Sequence, residues 1–287
     1  MRTSISVICT VKNEEETIEK LINSLIHQKL KPMEIIIVDG GSTDSTWKLI
    51  SKISRKYKGL IKPYLKNGYN IAQGRNYAIR KSRGKLVASI DGGCYADKSW
   101  LEELYREWKR SKADVVSGVF KPWIENYWDE IEGYFQCPSI KRLSKDWNPS
   151  SRSVLFTKRI WRKVDGYPED LYTAEDTIFN KKLREIGAKY SIAKNAVVYW
   201  RMRRNLYKIF VQFSRYAEGD VKARTYKEKK FILFLILVMS FIFVSLETFI
   251  RIRKLSIRHY FIGFFINCAK RFGYFYGFIK SFAKNYR

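Results

Sequence analysis

Alternating strand and helix patterns over the first 120 residues constrain the fold of this chain most strongly. Short apolar runs rich in β-branched residues predict five strands, over residues 4–10, 34–38, 60–65, 86–90 and 114–119. Amphipathic stretches predict a first helix after Asn13 and further helices over about residues 45–57, 71–82 and 100–110. This alternation is typical of an α/β fold, so we expect a mainly parallel sheet flanked by helices.

The start of the first helix carries a capping pattern. Asn13 is followed three residues later by Glu16, and Ile18, Leu21 and Ile22 then fall on one helix face. In a capping box, the first residue accepts from a backbone N–H in the first turn and the acid reaches back to the cap. The pattern therefore predicts Asn13 as the N-cap of this helix.

The chain is strongly basic, because its 55 Lys and Arg residues exceed its 28 Asp and Glu residues and leave a net charge of +27. Such an excess attracts nucleic acid, an anionic membrane surface or phosphorylated substrates. No nucleic-acid-binding motif accompanies the charge, so we expect no nucleic-acid partner. Basic runs over residues 201–230 and 251–287 instead flank the most apolar segment of the chain.

That apolar segment covers residues 231–250 and contains a single charge, Glu247. A membrane span needs about 20 such residues, and positive flanks are typical of the cytoplasmic face. We therefore expect a membrane span here, with a buried core helix as the alternative. A second apolar stretch, over residues 259–279, is either another span or a helix that lies in the membrane interface.

Polar residues follow the predicted strands at the ends where parallel sheets bind ligands. Thr10 ends the first strand, and Asp39 and Asp91 follow the second and fourth, each next to glycines that allow close approach. Arg75 lies near the start of the third helix, and a guanidinium at a helix N-terminus suits a diphosphate. Together these residues predict a nucleotide site. Each residue taken singly also has an alternative role. Asp39 could cap a turn, and Arg75 could pair with an acid on the surface.

Five segments carry these residues and continue beyond them, in the order SVICTVKNEEETIEKLINSL, EIIIVDGGSTDSTWKLI, GRNYAIRKSRGKLVASIDGG, NPSSRSVLFTKRIWRKVDGYPE and YTAEDTIFNKKLREIGAKYSIAKNAVVYW. Over about residues 3–220 the chain resembles a family 2 glycosyltransferase of the GT-A fold. The resemblance implies a Rossmann-like GT-A domain. It also implies inverting transfer of a sugar from a nucleotide-diphosphate sugar.

The resemblance also implies roles for individual residues on the donor side. Thr10 and Glu14 would line the nucleoside pocket, and Asp39 matches the first acid after the second strand. Arg75 matches the arginine of the ARN-like segment of the family. Asp91 matches the first acid of the DxD motif, whose acids hold the ribose and a divalent cation on the diphosphate.

On the acceptor side, Asp176 matches the aspartate of the Glu-Asp motif, which is the general base of inverting members. A base must take the proton of the acceptor hydroxyl as that oxygen attacks the anomeric carbon. Glu175 beside it would position or tune the base. The alternative for this pair is an acidic helix start, since acids favour helix N-termini.

Two positions depart from the family pattern. The DxD motif reads Asp91-Gly92-Gly93, so a side chain at position 93 cannot ligate Mg²⁺ or Mn²⁺. The resemblance implies a divalent cation at Asp91, and Asp97, another acid or water would then complete its coordination. The acid that often follows Asp39 is Gly40 here, which leaves the nucleotide base open.

Basic and aromatic residues follow the catalytic half of the chain. Trp200 and Arg201 are followed by Arg203 and Arg204, which suits binding of a diphosphate or a lipid phosphate. The next residues predict an amphipathic helix from about Asn205, either an interfacial helix or an ordinary surface helix.

These observations predict a GT-A domain over residues 1–200, a basic interfacial helix over 201–228 and membrane-associated helices over 229–287. We expect a glycosyltransferase of the cell membrane whose catalytic domain faces the cytoplasm. Its acceptor would be lipid-linked or a glycan, as in polysaccharide or glycolipid synthesis. One alternative is a nucleotidyltransferase, although residues 11–14 lack the glycine-rich loop of that class. The other is a catalytically impaired membrane or polyanion binder, which the missing second acid favours.

Overall fold

The computed structural model describes residues 4–138, 140, 143, 147–223, 241–252 and 257–285. The chain divides into two compact units, and each is described by itself. The first unit comprises residues 1–121, 139–170 and 175–200, and the second comprises residues 122–138, 171–174 and 201–287. The predicted domain boundaries at residues 200 and 228 stay predictions.

The described strands are β1 Ile5–Val11, β2 Glu34–Asp39, β3 Ile61–Leu65, β4 Leu86–Asp91, β5 Cys94–Ala96, β6 Val115–Trp123, β7 Val154–Thr157 and β8 Tyr190–Arg201. The described helices are α1 Ile18–Ile26, α2 Thr46–Lys56, α3 Ile71–Lys81, α4 Trp100–Ser111, α5 Tyr127–Gln136, α6 Lys158–Lys163, α7 Glu175–Glu185, α8 Leu206–Lys222, α9 Phe241–Ile252 and α10 Ile257–Asn285. The five predicted strands are therefore confirmed as β1 to β4 and β6.

The strands form one sheet in the order β3-β2-β1-β4-β7-β6-β8-β5. The first four strands of this order, β3, β2, β1 and β4, pair in parallel. In contrast, β7 pairs antiparallel with β4 and with β6, and β5 pairs antiparallel with β8. The expectation of a mainly parallel sheet is wrong, because the sheet is mixed. The alternating pattern on which it rested ends near residue 120. The antiparallel partners of β4, β5 and β6 are β7 and β8, which lie beyond that point.

Strands β1 and β2 have largely uninterrupted apolar sequences because they are buried along their whole length. Every residue of β1 and of β2 is buried, which is typical of a strand covered on both faces. Side chains from these strands pack with α3, α6 and α7 around Ile8, Ile36, Ile79, Phe156 and Leu183. This core fixes the strand ends on which the candidate site is built.

The predicted cap of α1 is wrong. The helix begins at Ile18, after Thr17, and no side chain caps it. Asn13 instead has a left-handed backbone with φ of 56°, which Asn tolerates better than most residues. Its Oδ1 accepts from the backbone N–H of Thr43 at 2.8 Å, so the side chain joins two loops rather than capping the helix.

The second unit is helical in its described C-terminal part. Helices α8 and α10 pack with their backbones very close. A Cβ at Gly273 would lie 2.2 Å from the carbonyl oxygen of Phe210, and one at Gly277 would lie 2.1 Å from that of Ser214. The predicted helix after Asn205 is confirmed as α8, and the Asn205 side chain caps it by accepting from the N–H of Lys208.

Among the residues that the structure describes, no helix is both long enough and apolar enough to cross a membrane. The predicted span over residues 231–250 lies partly outside the described residues, which omit 224–240. Its remaining residues belong to α9. The membrane span therefore stays a prediction.

Candidate active site

The register of the parallel strands brings the predicted polar residues to one edge of the sheet. Thr10 lies opposite Val38 on β2 and opposite Asp91 on β4. Val11, the next residue, lies opposite Asp39. Thr10, Asp39 and Asp91 thus lie within one residue of the same level at the ends of adjacent strands, where open α/β sheets bind ligands.

Asp39 is fully buried and uses its two carboxylate oxygens differently. Oδ1 accepts from the backbone N–H groups of Gly41 and Ser42 and from the Ser42 hydroxyl, at 2.8–2.9 Å. Oδ2 is buried and has no hydrogen-bond partner within the described part of the chain, and neither has the Thr10 hydroxyl. Buried polar atoms are nearly always paired, so these two oxygens are candidates for ligand contacts. The turn-cap alternative accounts for only one of the two Asp39 oxygens.

Arg75 connects the donor side of the predicted site to the acceptor side. Its side chain is only 2% exposed, and it donates from NH2 to Asp91 at 2.6 Å and from NH1 to Glu175 at 2.5 Å. Burial disfavours the charge of Arg75, but the two carboxylates outweigh it and raise the pKa of the guanidinium. Arg75 therefore does not form the surface ion pair that was the alternative. Its Nε is buried and unpaired among the described residues.

Glu175 and Asp176 begin α7, yet their side chains are in different environments. Glu175 is buried, and this burial, reinforced by the charge of Asp176 and opposed by Arg75, raises its pKa to about 7. Asp176 is partly exposed, and its carboxylate hydrogen bonds to no residue that the structure describes. A partly exposed carboxylate can reach a substrate hydroxyl, whereas the Arg75-bound Glu175 is held in the protein.

Glu14 lies directly over the two glycines of the altered DxD motif. A Cβ at Gly92 would lie 3.3 Å from Oε1 of Glu14, and a Cβ at Gly93 would lie 3.3 Å from Oε2. Gly93 also has φ of +70°. The Glu14 carboxylate is thus next to the position at which the motif lacks its second acid.

The described residues contain no group of three or more His, Cys, Asp or Glu side chains that could hold a metal ion by themselves. Mg²⁺ is commonly bound through one or two carboxylates together with substrate phosphates. Asp91 and the nearby Glu14 fit a cation of that kind, which would be held jointly by protein and donor.

The predicted phosphate-binding residues are divided between the two units. Trp200 belongs to the first unit and is buried there, with the guanidinium of Arg152 4.0 Å from the centroid of its ring. Arg152 is a residue that sequence reasoning missed, because its proximity to Trp200 depends on the pairing of distant segments. The ring of Trp200 also contacts the ring of Phe120, which indicates that Trp200 packs within the first unit.

Arg201 and Arg204 belong to the second unit. Arg204 donates to Asp129 and Glu125, each at 2.6 Å, and the hydrogen bond to Asp129 contributes most to raising its pKa. Arg201 is 3.9 Å from Glu125, and its guanidinium is 5.3 Å from the ring centroid of Trp123. Carboxylates of the same unit therefore already balance part of this positive charge, and a phosphate role for these arginines stays a prediction.

Two further residues complete the surroundings of Arg75 and were not predicted. The Tyr167 ring centroid is 5.4 Å from the Arg75 guanidinium. Asn76, next to Arg75 on α3, accepts from Trp161 Nε1 and from the N–H of Tyr167, both at 3.0 Å. The adjacent Arg and Asn in the ARN-like segment were the signal that could have identified Asn76.

The fold and this strand-end site define a protein of the GT-A class. The solved mannosyltransferase PcManGT from Pyrobaculum calidifontis, in complex with GDP-Man and Mn²⁺, matches 99% of the chain. The match covers 88% of that protein, with a TM-score of 0.65 and 14% identity. TarS 1–349 of S. aureus, in complex with UDP-GlcNAc, matches the whole chain with a TM-score of 0.56 and 19% identity, over 93% of that protein. At these identities the likeness shows the fold.

Residues 6–164 match the model of glycosyl transferase family 2, and the chain belongs to this family. It is 26% identical over 201 residues to the glycosyltransferase AglE of Haloferax volcanii, across 67% of this chain and 65% of AglE. It is 30% identical over 116 residues to the cholesterol galactosyltransferase of Borreliella burgdorferi, across 40% of this chain and 32% of that protein. The chain thus spans less than two thirds of either relative.

Proposed function

We propose that this chain transfers a sugar from a nucleotide-diphosphate sugar to an acceptor hydroxyl with inversion at the anomeric carbon. The observation that carries the proposal is the buried Arg75, which contacts both Asp91 at the end of β4 and Glu175 at the start of α7. One guanidinium thereby holds a donor-side acid close to the segment that bears Asp176. A nucleotide site and a candidate base are thus parts of one constellation.

On the donor side, we assign the nucleoside to the end of β1 and β2. The unpaired Oδ2 of Asp39 can accept from an N–H of a base, and the Thr10 hydroxyl can donate or accept. Asp91 would hold the divalent cation. When bound, such a cation stabilises negative charge on the departing diphosphate. Family membership and the solved GT-A neighbour that contains Mn²⁺ support this assignment.

On the acceptor side, Asp176 acts as the general base. The acceptor oxygen attacks the anomeric carbon as the bond to the diphosphate breaks, and its proton passes to the Asp176 carboxylate. Glu175 is a positioning residue, because its bond to Arg75 fixes the start of α7. Inversion follows when the acceptor attacks from the face opposite the leaving diphosphate.

We further propose that the second unit binds the cytoplasmic face of the membrane, so that the acceptor is lipid-linked or a membrane-associated glycan. An apolar stripe on α10 supports this, and each of its side chains is about half exposed. The stripe consists of Phe261, Phe265, Phe272, Tyr276 and Ile279. Their spacing of four, seven, four and three residues places them on one helix face. Residues 251–287 contain no acid, which favours anionic lipid.

Calorimetric titration with UDP, GDP, ADP, CDP and dTDP, each with Mn²⁺, tests the donor site. We expect tight binding of one nucleotide and a loss of that binding in Asp91→Asn, with Glu185→Gln on the exposed face of α7 as the matched control. Binding of none of these nucleotides would overturn the proposed donor site and favour a catalytically impaired binder. The anomeric configuration of the product, read by proton NMR, tests inversion.

A further inference from the structure

The side chain of Glu14 lies next to Gly93, the position at which the DxD motif lacks its second acid. Gly93 has a left-handed backbone, and a Cβ there would lie 3.3 Å from Oε2 and 3.4 Å from Oε1 of Glu14. Such a contact is tighter than most real Cβ contacts, so a larger side chain at position 93 would have to displace the carboxylate. The Glu14 carboxylate thus adjoins the space that the second acid would enter.

Several hydrogen bonds hold Glu14 in this place. The Thr17 hydroxyl donates to Oε2 of Glu14 at 2.6 Å, and the backbone N–H of Glu14 donates to the Thr46 hydroxyl at 2.7 Å. The carbonyl of Glu14 accepts from the N–H groups of Thr17 and Ile18, where α1 begins. The carboxylate is therefore preorganised over the glycines.

Asp91 converges on the same place from the neighbouring strand. The N–H of Gly92, the residue after Asp91, donates to the carbonyl of Thr10 at 3.2 Å. Only Oδ1 of Asp91 accepts a hydrogen bond from Arg75. Oδ2 of Asp91 accepts none from any residue in the described ranges of the chain. The Nε of the same Arg75, whose side chain is 98% buried, is also unpaired there. Two carboxylates and a buried, unpaired N–H donor thus mark a site for a cation and an anion together.

We propose that Glu14 replaces the missing second acid and, together with Asp91, holds a divalent cation on the diphosphate of the donor. This inference rests on the proposed function. It assigns Glu14 to the metal rather than to the nucleoside pocket. Two carboxylates that face a diphosphate repel it and each other, and a shared divalent cation removes that repulsion.

If Glu14 has this role, the second acid can stand at position 14 or at position 93. Glu14→Gln removes the carboxylate but keeps the shape and the Thr17 contact. Gly93→Asp together with Glu14→Ala, whose short side chain leaves room for a Cβ at position 93, returns an acid to the motif, and Asp is among the residues that tolerate a left-handed backbone. The double variant E14A/G93D therefore moves the second acid from one position to the other.

The experiment measures Mn²⁺ affinity from the electron paramagnetic resonance signal of free Mn²⁺, at a saturating concentration of the nucleoside diphosphate that the wild type binds. Nucleotide affinity is measured separately in EDTA, and circular dichroism checks folding. We expect Glu14→Gln to weaken Mn²⁺ binding by at least about tenfold and to change nucleotide affinity in EDTA less than twofold. E14A/G93D should recover most of the Mn²⁺ affinity that Glu14→Gln loses, and the exposed control Glu16→Gln should bind like the wild type.

Three results separate the possible failures. Unchanged Mn²⁺ affinity in Glu14→Gln would overturn the assignment. Nucleotide binding that is lost in EDTA on this substitution would also overturn it and would place Glu14 in the nucleoside pocket. If the wild type binds none of UDP, GDP, ADP, CDP and dTDP with or without Mn²⁺, the proposed function itself fails, and this inference fails with it.

Discussion

Glu34 provides a quantitative test of the fold, because its charge is buried at the start of β2, the opposite end of the strand from Asp39. Its carboxylate accepts from Ser6 Oγ, Lys62 Nζ and the backbone N–H of Arg83, at 2.6–2.7 Å. Burial opposes ionisation, but these hydrogen bonds outweigh it and lower the pKa of Glu34 from 4.5 to about 2. Folding therefore favours the ionised form.

That pKa difference corresponds to about 3 kcal/mol of unfolding free energy at pH 7, at about 1.4 kcal/mol per pH unit. Lys62 and the Arg83 side chain reach solvent, which screens part of their interaction with Glu34. We therefore expect about 2 kcal/mol. Because the folded pKa is the lower one, this stability is present above pH 4.5 and is lost as the pH falls towards 2.

Glu34→Gln removes the charge and places an amide among four donors, the fourth being Arg83 Nε. We expect its unfolding free energy at pH 7 to be about 2 kcal/mol below that of the wild type, measured by urea denaturation with tryptophan fluorescence. The difference should shrink between pH 5 and pH 3, because Glu34 of the unfolded wild type then takes up a proton while that of the folded protein stays ionised. Glu185→Gln, whose carboxylate is 61% exposed, is the control and should change stability by less than about 0.5 kcal/mol.

A difference at pH 7 that is no larger than that of the control would refute the reasoning, as would a difference that stays constant from pH 5 to pH 3. Either result would mean that the cluster around Glu34 does not hold an ionised carboxylate in the folded protein. Since Glu34 lies away from the candidate site, nucleotide affinity at pH 7 should be unchanged in Glu34→Gln.

Three further predictions concern the site and the membrane. Asp176→Asn should lower kcat by about 10³-fold or more and leave the nucleotide affinity measured by calorimetry unchanged, since only the proton acceptor is lost. A comparable loss of kcat and of nucleotide affinity would contradict the assigned role. Arg75→Lys should weaken nucleotide binding by about tenfold or more in the same titration, because an ammonium cannot reproduce the two-way contact to Asp91 and Glu175. Phe265→Glu should reduce flotation with phosphatidylglycerol vesicles, whereas Ile186→Glu, on an exposed site of the first unit, should not; equal flotation of both would count against the stripe as a membrane contact.

Local sequence patterns predict the parallel half of the sheet well and the rest less so. The ends of β1, β2 and β4 fall within about one residue of the prediction, because buried parallel strands read as continuous apolar runs. The Asn13 cap failed because the partner of that side chain, Thr43, is 30 residues away. The mixed sheet was missed because the direction in which β7 and β8 pair is set by contacts with distant segments, which the local sequence does not indicate.

The candidate site shows the same limit. Thr10, Asp39 and Asp91 could be placed together because a register rule relates strand ends, and the structure has them at one edge. The bond of Arg75 to Glu175 joins residues 100 positions apart. The position of Glu14 over Gly93 likewise depends on how the loop after β1 crosses the end of β4. Neither contact follows from propensity or spacing.

The buried Arg75 is better explained by positioning than by stability. A guanidinium taken out of water loses hydration that its ion pairs only partly replace, so apolar residues of similar volume often stabilise such sites equally well. Arg75 nevertheless keeps two acids from different elements at 2.5–2.6 Å. An apolar residue would leave Asp91 and Glu175 without their shared cation, and their repulsion would move the donor acid away from the start of α7. The ion pair therefore serves to hold donor and acceptor groups in one geometry, which is what a displacement at a single carbon requires.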